Sequence, residues 1–384
     1  MNQLKTDEGI KLVRSPRSVE IAITNTCNLR CAYCSHFTSA ADVPGDVSLE
    51  DWLCFFEELN RCSVLKVCLD GGEPFHRKDI IQIIQGIVAN RMRFSVLSNG
   101  TLLTDEIAAF LASTRRCDFI QISLDGSIAT THDALRGEGS FRKALAGIQA
   151  LQKHNIPVAV RVTIHKHNLN QLEELTHFLL EEIGLRSFST NAASYMGLCR
   201  KNSSQVQLTV GERSLAMEKL LTLSNKYPNR ISAMAGPLAE AKGWLEMEEA
   251  RHTRKAQPAG RGYLTGCAGP MSKIALRPDG VFVPCILLSH IELGKMNKDD
   301  FRAIWQSHPA LKSLRSRHLI PLNEFAFCKD CLYVDYCAGG CPALSYTVVG
   351  NMNHPNPDTC LRKFLAEGGY LPRKGFLEAT TVVC

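Results

Sequence analysis

Between residues 19 and 220, short β-branched and aromatic runs alternate with longer amphipathic stretches. Apolar residues repeating over a few positions read as strands, whereas recurrence at three- and four-residue steps reads as helices facing a core. The strand pattern is met at 19–24, 65–70, 94–97, 119–124, 158–164 and 186–190. Helical patterns follow near 49–60, 77–90, 104–113, 141–154, 169–182 and 211–226. Ser48-Leu-Glu-Asp51 and Thr104-Asp-Glu106 supply side-chain oxygens suited to cap two of these helices. Strand–helix units in this order build a parallel sheet. Six of them predict an α/β fold with a partial (β/α)6 TIM-like barrel, open because closure takes eight.

The pattern weakens from 227 to 265, with one helical piece at 237–249. From Cys267 the texture changes to cysteines, glycines, prolines and short apolar runs, as in small domains that metal holds together. The expected organisation is an N-terminal extension (1–16), a barrel (17–226), a connector (227–265), a cysteine-rich domain (266–370) and a tail (371–384).

Composition adds constraints. A hydrophobic content of 45% in 384 residues suits a globular chain with a sizeable core. No apolar run is long enough to span a bilayer, and the first residues lack a basic segment leading into an apolar one, so neither a membrane span nor a secretory signal is expected. Sixteen cysteines without an export signal point to metal ligation in a reducing cytoplasm rather than a disulfide scaffold.

Two motifs carry chemistry. Cys27-Asn-Leu-Arg-Cys31-Ala-Tyr-Cys34 follows the first strand, at the strand end where parallel sheets place their sites. Four thiolates close a [4Fe–4S] cluster, but three leave one iron open to a substrate or cofactor. A zinc knot completed by His36 is the plainer alternative. Gly71-Gly72-Glu73-Pro74 directly follows the second strand. Paired glycines let backbone approach a ligand closely, and Glu73 could accept from an ammonium group; the same tetrapeptide also suits a simple strand-to-helix turn.

Together these motifs resemble the radical S-adenosylmethionine (SAM) superfamily. The resemblance implies that Cys27, Cys31 and Cys34 hold a [4Fe–4S] cluster whose open iron is chelated by SAM. It places Tyr33 near the adenine and Gly71, Gly72, Glu73 and Pro74 at the methionine moiety. Asn99 in Ser98-Asn-Gly-Thr101, and Ser123 and Asp125 in Ser123-Leu-Asp-Gly126, fall at later strand ends, where they would contact the cofactor or serve as turn and cap residues. The segment 132–141 continues the likeness, with Arg136 a candidate for the SAM carboxylate or for a structural salt bridge.

The C-terminal cysteines form the pattern C-x12-G-x4-C, then C-x2-C-x5-C-x3-C, then a last cysteine. This resembles the seven-cysteine SPASM domain, which carries two auxiliary iron–sulfur clusters; a zinc ribbon is the plainer alternative. By resemblance Cys328, Cys331, Cys337 and Cys360 hold the outer cluster, and Cys267, Cys285 and Cys341 the inner one. Cys199 is a candidate fourth inner ligand or a hydrogen-atom donor. Cys54, Cys62, Cys68 and Cys117 lie in apolar segments and read as small buried hydrophobes, and Cys384 as a free tail thiol.

The family resemblance implies an enzyme in which a 5′-deoxyadenosyl radical abstracts a substrate hydrogen. The expected substrate is a ribosomally made precursor peptide, receiving a thioether or carbon–carbon crosslink or an epimerised centre. A sugar or aminoglycoside dehydrogenase or epimerase is the alternative. Formylglycine formation is disfavoured, because Ile286 stands where that group has an Asp and Lys273 lies where a further cysteine is expected. About 18 residues precede the first strand, so a winged-helix leader-binding domain is not expected there. Recognition would fall to the barrel, the SPASM domain or a separate leader-binding protein. A flavodoxin- or ferredoxin-type protein would donate electrons. Ten ligated thiolates and three cationic clusters bring the formal charge of +6 to about +2, which argues against a nucleic-acid partner. The densest basic patch, Arg251, His252, Arg254, Lys255 and Arg261, reads as a solvated loop.

Overall fold

The computed structural model describes residues 3–5, 11–35, 45–253, 260–267 and 269–372. His36, Arg254, Lys255 and Cys384 lie outside the described residues. All six expected strands are present: β1 (Ser18–Thr24), β2 (Lys66–Gly71), β3 (Arg93–Ser98), β4 (Cys117–Ser123), β5 (Val158–Ile164) and β6 (Phe188–Ala192). They pair in parallel in chain order, with helices such as Leu49–Arg61, Ile80–Ala89 and Ser140–Lys153 between them.

The sheet is wider than the sequence pattern suggests. Within the expected connector, Ile231–Ala233 forms β7 and pairs in parallel with β6. Its three residues are too few to carry a visible periodicity. At the opposite edge, β8 (Lys273–Leu276) of the cysteine-rich region pairs in parallel with β1, and β9 (Val281–Val283) and β10 (Gly294–Lys295) extend it antiparallel. The two regions thus share one ten-stranded sheet. A separate antiparallel pair joins Gln3–Lys5 to Lys11–Val13.

Burial explains the strand pattern. In β1, Val19, Ile21 and Ile23 are fully buried, whereas Glu20 between them is only half-buried. Ser48 caps the helix Leu49–Arg61 by accepting from the Asp51 N–H at 3.1 Å, and Thr104 does the same for Ile107 at 3.3 Å. The first of these helices buries Trp52, Phe55 and Phe56. Phe55 meets Phe282 of β9 and Phe301 edge-on, with centroids 5.6 and 6.0 Å apart. The cysteine-rich region is therefore welded to the barrel through one apolar core.

Among the described residues no helix is long and apolar enough to cross a membrane. The basic patch is partly neutralised: Glu248 pairs with Arg251 at 2.9 Å and lies 3.5 Å from His252.

Candidate active site

The loop bearing Cys27, Cys31 and Cys34 leaves the C-terminal end of β1 and is held from three sides. The backbone N–H groups of Gly72 and Glu73 donate to the Thr24 and Thr26 carbonyls at 2.8 and 2.9 Å. The N–H of Ala32 donates to the Leu135 carbonyl at 2.8 Å, and the N–H of Leu198 donates to the Cys34 carbonyl at 2.8 Å. The first clamp follows the end of β2, and the other two come from the helices Ala129–Arg136 and Gly197–Lys201.

The first clamp explains the glycine pair. A Cβ on Gly71 would stand 2.5 Å from the Thr24 carbonyl oxygen, and one on Gly72 only 2.0 Å from that of Thr26. Gly71 also has φ +116°, a conformation that L side chains rarely adopt. The close approach is made to the backbone of the cysteine loop.

Glu73 is 1% exposed. Its carboxylate accepts from Ser98 Oγ at 2.8 Å and from the backbone N–H groups of Phe75 and Asn99 at 3.1 and 2.7 Å. Burial nevertheless raises its pKa to about 7 against these donors. Here the carboxylate ties β2 to β3. Pro74, also buried, starts the short turn that follows. Asn99 reaches the cysteine loop directly, with Nδ2 3.0 Å from Asn28 Oδ1 and 3.8 Å from Cys27 Sγ.

A second cluster of charge sits behind Cys31. Asp125 is fully buried. Its Oδ2 accepts from Arg136 Nε at 2.6 Å and from the Tyr33 hydroxyl, and its Oδ1 accepts from the Thr163 N–H at 2.8 Å. Burial pushes this carboxyl up, but Arg136 and His165 outweigh it and hold the pKa at about 2. Arg136 stacks over the Tyr33 ring at 5.3 Å and points Nη1 towards Cys31 Sγ, 4.0 Å away. Both Asp125 oxygens are thus taken by protein donors and Arg136 is committed to that network. The salt-bridge alternative for Arg136 is formed, through Nε alone. Ser123, at the end of β4, is half-buried beside them in sequence and makes no comparable contact.

Sequence reasoning missed His165 and Asn168. The His165 ring is fully buried, stacks on Tyr33 at 5.8 Å, and neither ring nitrogen has a hydrogen-bond partner. Burial lowers its pKa to about 4, so it is neutral at pH 7. Asn168 Nδ2 bridges the Asp125 and Thr163 carbonyls at 3.0 and 2.8 Å. The only sequence signal was their place just past the end of β5.

Cys199 is fully buried with Leu135, Ala193 and Val206, against Ala32 and Tyr33, and burial raises its thiol to about 11. It packs behind the first cysteine loop, in a different apolar cluster from Cys285 and Cys341. Among the other cysteines expected to be buried, Cys62 is, Cys68 and Cys117 are half-buried, and Cys54 is exposed.

The residues fit iron–sulfur ligation. Burial raises the Cys31 pKa to about 11, with Cys34 and Cys27 adding to the rise, and at Cys27 burial is likewise reinforced by Cys34. In the C-terminal region Cys285 feels both Cys341 and Cys267, and burial raises it to about 12. Cys328, Cys331, Cys337 and Cys360 line one small cavity, and the last three raise the Cys328 pKa on top of burial. Thiolates gathered this way repel one another until a cationic core compensates. Among the described residues no three Cys, His, Asp or Glu side chains converge as a lone metal ion would require.

A cavity of about 570 Å³ lies between the strand-end residues Ile164 and Ala192 and the cysteine-rich segment from Cys337 to Cys341. Its wall includes the paired Arg213 and Glu240, together with Arg261, Trp244 and Lys363.

Comparison with known proteins agrees with this architecture. A family model described as the radical SAM superfamily matches residues 21–179, and one described as an iron–sulfur cluster-binding SPASM domain matches residues 267–332. The latter match stops before Cys337, Cys341 and Cys360. The chain is 26% identical to the AdoMet-dependent heme synthase of Methanosarcina barkeri, over 91% of this chain and 97% of that protein. It is 28% identical to the mycofactocin maturase MftC of Mycobacterium tuberculosis, over 91% and 85%. Streptococcus suis SuiB bound to S-adenosylmethionine shares the fold, with a TM-score of 0.69 and 17% identity over 91% of this chain and 78% of SuiB. The cysteine loop at the end of β1 falls inside the first matched region and the cysteine-rich extension of the sheet inside the second, so residues 21–179 form a radical SAM domain and residues 267–332 fall in a C-terminal iron–sulfur cluster-binding SPASM domain.

Proposed function

We propose that this protein is a radical SAM oxidoreductase that modifies a ribosomally made precursor peptide in the cytoplasm. The observation that carries the enzymatic reading is the three-cysteine loop, clamped at the C-terminal end of β1 by Gly72, Glu73, Leu135 and Leu198. When bound there, a [4Fe–4S] cluster and SAM supply a 5′-deoxyadenosyl radical able to take a hydrogen atom from the substrate.

The chain's own residues do the rest. Cys27, Cys31 and Cys34 would ligate the cluster, and the glycine pair and Glu73 fix the loop that carries them. Arg136 and Asp125 form a rigid, charge-balanced wall behind Cys31, and Asp125 pins the Tyr33 hydroxyl. Tyr33, Gly71, Gly72, Glu73, Pro74, Asn99, Ser123, Asp125 and Arg136 remain the candidates for contacting SAM, and His165, stacked on Tyr33, joins them. The cysteine-rich domain would hold two auxiliary clusters, an outer one on Cys328, Cys331, Cys337 and Cys360 and an inner one on Cys267, Cys285 and Cys341. Such centres can accept an electron from an oxidised substrate, and a flavodoxin- or ferredoxin-type protein would reduce the first cluster.

The peptide reading is supported by relatives named mycofactocin maturase and PqqA peptide cyclase, 28% and 23% identical. A small-molecule substrate is the second reading, favoured by relatives named heme synthase and pre-heme d1 synthase, each 26% identical. Anaerobic reconstitution with iron and sulfide, followed by SAM and dithionite, tests the enzyme class: 5′-deoxyadenosine should accumulate, and its absence would sink the proposal. Deuterium transfer into 5′-deoxyadenosine from a labelled candidate peptide, rather than from a porphyrin or sugar, decides the substrate.

A further inference from the structure

Arg317 lies in the short turn Arg317–Leu319, between Cys285 and Cys328 and part of neither cysteine motif. It is 3% exposed, and neither of its terminal nitrogens, Nη1 and Nη2, has a hydrogen-bond partner. A guanidinium is always charged, and burying one without a counter-charge is strongly unfavourable. The fold therefore leaves a cationic donor pair enclosed and unanswered.

The backbone shows what it faces. Leu264 donates to the Ile320 carbonyl at 3.1 Å, Leu322 donates to that of Gly262 at 2.8 Å, and Tyr263 bridges Pro321. The same segment also meets the residues ahead of Cys341: Thr265 donates to the Ala338 carbonyl at 3.0 Å, and Gly266 abuts the Gly340 backbone. The approach to Cys267 thus meets both the Arg317 turn and the approach to Cys341. Consistently, both Cys267 and Cys341 favour the charged form of Arg317, against the burial that opposes it. Neighbouring Arg315 is occupied elsewhere, donating Nε to the Pro270 carbonyl at 3.0 Å and stacking over Trp305 at 4.4 Å.

We propose that Arg317 is a positioning residue for the inner auxiliary cluster, donating charge-assisted hydrogen bonds from Nη1 and Nη2 to its sulfur atoms. The proposal rests on the reading of Cys267, Cys285 and Cys341 as cluster ligands. A [4Fe–4S] core with three thiolates is net anionic and supplies the missing counter-charge. A cation and N–H donors at the sulfurs stabilise the reduced state more than the oxidised one, so Arg317 raises the reduction potential of this cluster. The enclosure of both nitrogens excludes a role in binding substrate from solution.

An anaerobic redox titration of the reconstituted holoenzyme, followed by electron paramagnetic resonance, tests this. Cys285→Ala first identifies the inner-cluster signal by its loss. If that variant keeps the full iron content and spectrum, the cluster reading falls and this proposal with it. Arg317→Met is expected to lower the reduced-to-oxidised ratio of that signal at least tenfold at a fixed potential, a shift of about 59 mV for one electron. Arg317→Lys, which keeps the charge but not the fork, should shift it less, and it carries the test if the methionine variant does not assemble the cluster. The signal dependent on Cys27, Cys31 and Cys34 should titrate unchanged in both. An inner cluster that titrates as in the wild type in both variants overturns the proposal.

Discussion

The Arg136 guanidinium and the Asp125 carboxylate form a buried ion pair, with Nε 2.6 Å from Oδ2, at the back of the cysteine loop. The pair joins the end of β4 to the end of the helix Ala129–Arg136 and holds Tyr33 through the same carboxylate. Removing one member of such a pair leaves the other buried and uncompensated.

Asp125→Asn should therefore destabilise the chain by about 3–5 kcal/mol. Chemical denaturation followed by circular dichroism measures this. Adding Arg136→Met should recover part of the loss, because it removes the stranded charge. A single variant as stable as the wild type would show that the pair is not the brace described here.

Glu73 gives a pH dependence of definite sign. Burial raises its pKa in the folded chain to about 7, whereas the unfolded carboxyl titrates near 4.5. The folded state therefore holds the extra proton between these values, and stability falls as pH rises through that window, by up to about 3 kcal/mol. Glu73→Gln should flatten the slope between pH 5 and pH 7.5, read from denaturation midpoints at several pH values. An equal slope in both proteins would assign it to another group.

Gly72→Ala should displace the cysteine loop, since the added Cβ would lie 2.0 Å from the Thr26 carbonyl oxygen. The reconstituted variant should bind less iron and form no measurable 5′-deoxyadenosine. Gly45→Ala is the control, because its Cβ would have nothing within 4 Å. Iron content and activity matching this control would remove the clamp from the argument.

Cys34→Ala and Cys341→Ala should separate two steps. The first is expected to abolish SAM cleavage altogether. The second should retain some cleavage, uncoupled from product. Liquid chromatography of 5′-deoxyadenosine and of modified substrate distinguishes them. Normal product from the Cys341 variant would mean that the inner cluster is not needed for turnover.

The sequence by itself determined the six central strands, the parallel class and the cysteine spacing, because each is local. Strand periodicity follows from one buried face, and C-x3-C-x2-C needs only neighbouring thiols. It also marked Gly71, Gly72 and Glu73, although their partners were hidden: two carbonyls of the β1 loop and three donors, of which Ser98 and Asn99 lie on or beside β3. Tertiary structure alone decided that 231–233 and 273–276 extend the sheet at opposite edges, since runs of three or four residues carry no usable period. It also placed Cys199 in a small apolar cluster, committed Arg136 to Asp125, and enclosed Arg317 beside Cys267 and Cys341. Burial and the partners of a charge are properties of contacts between distant segments, and those exist only once the chain has closed on itself.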